Sequence, residues 1–186
     1  MRADAQRNRA LLIDAARVTF TERGTETPLE EVARRAGVGI GTLYRHFPTR
    51  ADLIAGVYSR EVETLCGNAD VLLASYPPDI ALRKFMDGFV DYVEVKRGLV
   101  GALKTFLGEE STFFQQTRQL LTDTMSRVVQ AAIDAGTIRA DADPGALLRG
   151  VGGFCTFSAS DGWQEQARSL VGILMDGLRV GAPVTK

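Results

Sequence analysis

Apolar positions along this chain recur at spacings of three and four residues, and few runs alternate apolar and polar with period two. That rhythm predicts helix nearly throughout. Leu12, Ile13, Ala16 and Phe20 form a first stripe that ends at Gly24. Thr27-Pro28-Leu29-Glu30 reads as a helix start, with Thr27 as the cap, Pro28 at the first helical position and Glu30 closing a capping box. Leu29, Val32, Ala33 and Ala36 share one face of that helix, and Gly37 ends it after about two turns. A third short helix puts Ile40, Leu43, Tyr44 and Phe47 in register before Pro48 stops it.

Thr49-Arg50-Ala51-Asp52 is a second capping box, opening a helix that carries Leu53, Ile54, Val57, Tyr58 and Leu65. Pro77-Pro78-Asp79 is the clearest break in the chain. Beyond it the pattern predicts helices over about 79–97, 99–108 and 111–135, the last ending at Gly136. Asp143-Pro144 opens another helix running to about Ser160. After a turn at Asp161-Gly162, the final helix places Trp163, Ala167, Leu170, Val171, Leu174 and Leu178 on one face. The fold class is therefore all-α, with about nine helices.

Composition narrows the setting. At 45% hydrophobic and 24% charged, the 186 residues read as an ordinary soluble globular protein. No window approaches an unbroken run of about 18 apolar residues, so no membrane span is expected. The polar Met1-Arg2-Ala3-Asp4 start leads into a charged amphipathic stretch and not the apolar core of a signal peptide. Cys66 and Cys155 lack any CxxC partner and read as reduced, buried cysteines of a cytoplasmic protein. The net charge of −1 hides an asymmetry: residues 1–60 carry ten Arg against seven Asp or Glu, and the remainder is acidic. A mildly basic head suits contact with a duplex, which is a dense line of negative charge.

Two short helices joined at a glycine and packed on a longer preceding helix are the ingredients of a helix-turn-helix. Gly37 supplies the left-handed turn residue, Ala33 allows close helix passage, and Val38, Leu43 and Phe47 form the buried side of the third helix. The other side carries Gly39, Gly41, Thr42, Arg45 and His46. The stretch Thr27-Pro28-Leu29-Glu30-Glu31-Val32-Ala33-Arg34-Arg35-Ala36-Gly37-Val38, continued by Gly41-Thr42-Leu43-Tyr44-Arg45-His46-Phe47-Pro48-Thr49-Arg50-Ala51-Asp52-Leu53, resembles the TetR family of regulators. The resemblance runs over about the first third of the chain. It implies an all-helical homodimer with a DNA-binding domain over 1–48 and a ligand-sensing, dimerising domain over 49–186. Gly39 stands where family members often carry Ser, so the cap of the recognition helix lacks a side-chain acceptor.

The resemblance implies Thr27, Thr42, Tyr44, His46 and Arg50 against phosphates, and Ile40, Gly41 and Arg45 near base edges, with Gly39 opening the helix. Residue chemistry agrees in type: hydroxyls and cations suit phosphates, Ile40 can meet a thymine methyl, and Arg45 can donate twice to guanine. Tyr44 also sits on the apolar stripe, where its ring can pack while its hydroxyl reaches out. For an apolar or aromatic effector, the candidate lining is Phe89, Phe106, Phe113, Thr117, Leu121 and Phe154, although plain core packing explains each of them as well. Leu147, Val151, Leu170, Leu174 and Leu178 are the candidate dimer contacts, with Gly150, Gly152 and Gly153 allowing close approach. The expected partners are double-stranded DNA, a small-molecule effector and a second copy; no cofactor or metal is expected.

Other classes fit less well. Gly37-Val38-Gly39-Ile40-Gly41 is not a dinucleotide loop, because helix precedes it and Tyr44 stands where the third glycine belongs. His46 is the single histidine, so any His-dependent triad or histidine-rich metal site would have to use it. Glu30-Glu31 and Glu109-Glu110 are sequence neighbours that splay about 100° apart on a helix, unlike an acid/base pair. An enzyme with an unmarked pocket and an adaptor whose head no longer reads DNA stay open; the bare Gly39 and Gly41 favour the second.

Overall fold

The computed structural model describes residues 2–108, 111–157 and 161–179. Glu109, Glu110 and Ser160 lie outside the described residues. Among those described there are eight helices: α1 Arg2–Arg23, α2 Leu29–Arg35, α3 Ile40–His46, α4 Arg50–Ser75, α5 Pro78–Leu107, α6 Thr112–Asp134, α7 Pro144–Phe157 and α8 Trp163–Leu178. The expected count was nine. The helices predicted over 79–97 and 99–108 are one continuous α5, because Gly98 does not take a left-handed φ and the buried stripe of Val90 and Val93 continues through Leu99 and Leu103. A glycine weakens a helix by about 1 kcal/mol without ending it.

Two starts expected from sequence form as read, and one does not. Asp143 Oδ1 accepts from the Gly145 and Ala146 amides at 2.7 and 3.2 Å, capping α7. Thr49 and Asp52 bond reciprocally: the Thr49 amide donates to Asp52 Oδ2 at 2.9 Å, and the Asp52 amide donates to Thr49 Oγ1 at 3.1 Å. Thr27 does not cap α2. That helix begins at Leu29 behind Pro28, with no side-chain cap, and the buried Thr27 hydroxyl turns back to donate to Gly24 O at 3.0 Å. The carbonyls at the end of α1 take the hydroxyl that the sequence pattern assigned to α2.

The chain forms two compact units. One comprises Met1–Glu61 and Val95–Phe114, the other Val62–Glu94 and Gln115–Lys186. In the first unit, Leu12, Ala16 and Phe20 of α1, Val32 and Ala33 of α2, Leu43 of α3 and Leu53, Ile54 and Val57 of α4 are buried. Tyr58, Phe113 and Phe114 add an aromatic cluster, with ring centroids 5.5 to 6.0 Å apart. In the second unit, Leu82, Phe85, Met86, Met125, Val128, Val151 and Val171 form the interior, and α7 packs on α8. A polar seam joins α5 to α8: Arg168 pairs with Asp91, and Gln164 Nε2 donates to Glu94 Oε1 at 2.9 Å. Beyond α6, the Arg139 amide donates to Leu178 O at 2.8 Å and holds the connection against the end of α8.

Neither Cys66 nor Cys155 is in a disulfide, both are buried, and burial pushes the Cys66 thiol above its ordinary range. Among the described residues, no helix is long and apolar enough to cross a membrane.

Gly56 is the tightest glycine of the first unit: a Cβ there would lie 2.9 Å from Phe47 Cε1. Gly67, further along α4, has open space around it. Gly56→Val is expected to destabilise the protein by about 1–3 kcal/mol through overpacking. Gly67→Ala should stabilise it by about 0.5–1 kcal/mol, since it only improves helix propensity. Urea denaturation of the two variants beside the parent checks both signs.

Candidate nucleic-acid interface

The two short helices are joined by hydrogen bonds of the backbone alone. α2 ends with the Val38 amide donating to Ala33 O at 3.0 Å and the Gly37 amide to Arg34 O at 3.2 Å, with Gly37 at φ +70°. This is a Schellman ending, which needs a left-handed residue just before its last donor and so selects glycine there. Gly39 then turns extended (φ −72°, ψ 149°), and its carbonyl accepts from the Thr42 and Leu43 amides at 2.9 and 3.2 Å to open α3. Gly39 has no side-chain cap bond, as its composition requires.

α3 has one buried side and one open side. Leu43 is fully buried and Phe47, at its end, nearly so. Gly39, Gly41, Tyr44 and Arg45 are exposed, while Ile40, Thr42 and His46 are half-buried. Tyr44 is 46% exposed, so the expected apolar stripe narrows to Leu43 and Phe47, and the Tyr44 ring lies with the polar face. The α1–α2 crossing is fixed by ion pairs, Arg35 to Glu22 at 2.8 Å and Arg23 to Glu31. Glu31, half of a sequence-adjacent carboxylate pair, therefore serves this crossing. Exposed pairs of this kind contribute at most about 1 kcal/mol each, so they orient more than they stabilise.

Thr27 and Arg50, both candidate phosphate contacts, hydrogen-bond the chain's own backbone. Thr27 is buried, and Arg50 Nη1 donates to Thr25 O and Thr27 O at 2.6 Å each. Sequence reasoning missed two supports of α3. One is Gly56, beneath the Phe47 ring; the other is Arg9, whose guanidinium carbon lies 5.3 Å from the centre of that ring. A glycine inside the long apolar stripe of α4 was a visible sign of close approach; nothing in the sequence pointed to Arg9.

Residues 12–57 match the family described as bacterial regulatory proteins, tetR family, and residues 77–180 match the C-terminal domain of the SbtR-like transcriptional regulators. The chain belongs to the TetR family. A TetR transcriptional regulator of Streptomyces coelicolor is 37% identical, with a TM-score of 0.83 over 94% of this chain and 99% of that one. A TetR regulatory protein of Mycobacterium vanbaalenii is 35% identical, with a TM-score of 0.79 over 96% and 99%. An HTH-type transcriptional regulator of Staphylococcus aureus is 34% identical over 85 residues, 45% of this chain and 46% of that protein. The chain thus matches less than half the length of this curated relative, although it spans nearly all of the two solved structures.

The α2–α3 pair falls within the family match over residues 12–57, and most of the second unit falls within the C-terminal-domain match over residues 77–180. The candidate effector residues divide between the units. Phe106, 52% exposed, and Phe113, in the aromatic cluster, belong to the first. Phe89, Thr117, Leu121 and Phe154 belong to the second, where Phe89 lies 5.7 Å from the Tyr92 ring and within 3.6 Å of a Cβ built on Gly152. An open cleft of about 190 Å³ in the second unit is lined by Leu65, Asn68, Val71, Leu72, Lys84, Phe85 and Gly88, and by none of those six.

The dimer candidates divide by burial. Leu147, Val151 and Leu178 are buried within the chain itself, Leu170 and Leu174 are half-buried, and Ile173 beside them is 68% exposed. Met175, and not Leu174, occupies the inward position of α8.

Replacing Gly37 by Ala forces a Cβ into the left-handed region that the Schellman ending requires, where no neighbouring atom compensates. The variant should lose about 1–2 kcal/mol of stability. Thermal denaturation followed by circular dichroism measures it, and an unchanged midpoint would show that the turn tolerates a different backbone.

Proposed function

We propose that this chain is a repressor that binds a palindromic operator as a homodimer and is released by a small apolar or aromatic effector. The observation that carries the reading is the open face of α3: Thr42, Tyr44, Arg45 and His46 stand on a helix whose other side is locked down by Leu43 and Phe47. A rigid helix presenting polar groups and one arginine is what major-groove readout uses. Arg45 reads a guanine, Ile40 meets a thymine methyl, and Thr42, Tyr44 and His46 take phosphates. The surplus of arginine in the first sixty residues favours approach to the duplex.

The second copy supplies the second recognition helix. Leu170, Ile173 and Leu174 give α8 an apolar edge facing out of the chain, and Gly150 and Gly153 of α7 have open space around them. Four helices, two from each copy, bury that edge across a two-fold axis. Half-sites then fall about 10 base pairs apart or slightly more. Effector binding lowers operator affinity by favouring a conformation in which the two heads no longer match successive grooves, and the operator lowers effector affinity by the same factor. The apolar effector class is supported by the aromatic content of the second unit, where Phe85, Phe89 and Tyr92 are all buried. A cytoplasmic location follows from the DNA partner and suits two buried cysteines that form no disulfide.

Selection of duplexes from a randomised pool, followed by fluorescence anisotropy at fixed salt, tests the function; recovery of no preferred duplex would favour the adaptor reading. With the selected duplex, Arg45→Ala is expected to lose about 1–3 kcal/mol of discrimination at one base pair per half-site and little elsewhere. Equal weakening of every single-base variant would make Arg45 another phosphate contact. In sedimentation at micromolar concentration the parent should be a dimer, and Leu174→Asp should shift it toward monomer. A monomeric parent contradicts the palindrome as well as the interface.

A further inference from the structure

We infer that Arg50 is a positioning residue of the DNA interface: it holds the α1–α2 turn against the start of α4, and its contribution to binding does not come from neutralising a phosphate. The inference rests on the DNA-binding reading above and assigns a different role to a residue whose position in the motif suggests a phosphate contact.

A cation in the first turn of a helix sits at the wrong end of the helix dipole, so Arg50 gains nothing from α4 itself. Its partners lie elsewhere in sequence. Nη1 has two hydrogens, and the structure directs it to two carbonyls, Thr25 O and Thr27 O, at 2.6 Å each. These carbonyls flank Glu26 in the irregular turn between α1 and α2. From the other side, the Thr27 amide and hydroxyl both reach Gly24 O, at 3.4 and 3.0 Å. The turn is thereby pinned to the last turn of α1 by Thr27 and to the first turn of α4 by Arg50.

α2 starts two residues after Thr27, and α3 hangs from α2 through the Schellman turn at Gly37. A shift at Thr25–Thr27 therefore carries into the placement of Tyr44 and Arg45. Both hydrogen bonds are part-buried and have a charged donor. Removing the donor leaves two carbonyls short of a partner, and the turn must rearrange to find one. Lysine keeps the charge and enough hydrogens for both carbonyls, but its ammonium sits on a shorter stem than the guanidinium nitrogen that meets them.

The two roles make different predictions for salt dependence. A phosphate contact releases counterion, so its loss lowers the slope of log K against log salt by about 0.9. A positioning residue lowers affinity at every salt concentration and leaves the slope unchanged. Titrations of the selected duplex should be run over a salt series with the parent, Arg50→Ala and Arg50→Lys, each confirmed folded by circular dichroism at the assay temperature. The expected result is a loss of tenfold or more for both variants, with the parent's slope retained. A slope reduced by about one in Arg50→Ala, with Arg50→Lys restoring affinity, would overturn the inference in favour of a phosphate contact. A lower melting temperature with unchanged affinity of the folded protein would overturn it in favour of plain stabilisation. Should Arg50→Ala fail to fold, Arg50→Lys decides alone, since parental affinity there contradicts the need for a donor at the reach of Nη1. A parent that selects no duplex refutes the DNA reading, whereas a parent that binds beside variants that bind equally refutes only the role given to Arg50.

Discussion

The helix-turn-helix depends on the seat of one ring. Phe47 follows the last residue of α3, and its side chain occupies the space that a Cβ on Gly56 would need. α4 therefore approaches the end of the recognition helix to a distance only glycine permits. Arg9 covers the same ring, so α1, α3 and α4 meet at a single aromatic side chain. A seven-residue helix is too short to persist in water on its own. α3 exists because Leu43 and Phe47 are buried under it, and its outer face is a consequence of that anchoring.

Around this seat the polar contacts set direction. Ion pairs between α1 and α2 are exposed, and their individual contributions are small. Backbone bonds at Gly37 and the Arg50 bonds to Thr25 and Thr27 are less replaceable, because each satisfies groups that irregular chain leaves without regular partners. Apolar burial decides that the head is folded, and these polar bonds decide the angle at which α3 is presented.

The pattern of the sequence exposed most of the fold, since an amphipathic helix writes its period into the chain and its ends into Pro, Gly, Asp and Thr. Thr49 with Asp52 and Asp143 with Pro144 were readable because their partners lie within three residues. Thr27 was misread for the complementary reason: Gly24 O competed for its hydroxyl, and local spacing does not show which carbonyl wins. The break expected near Gly98 failed because burial of Leu99 and Leu103 outweighs the propensity of one glycine. On the head, which residues share α3 was legible, but the backbone partners of Arg50, about twenty-five residues away, left no local trace. Long-range contacts such as Arg9 with Phe47 leave no periodic trace at all.

The turn at Gly37 has a consequence for how such a protein changes over generations. Its bonds run between main-chain atoms of Ala33, Arg34, Gly37 and Val38, and the seat of α3 uses Leu43 and Phe47. Neither depends on the identity of the exposed residues at 41, 44 and 45. The open face of α3 is thus separated from the parts that hold it, and substitutions there are filtered by what that face binds far more than by folding. A lineage carrying this head can change what the open face of α3 recognises through a few outward positions without passing through unfolded intermediates.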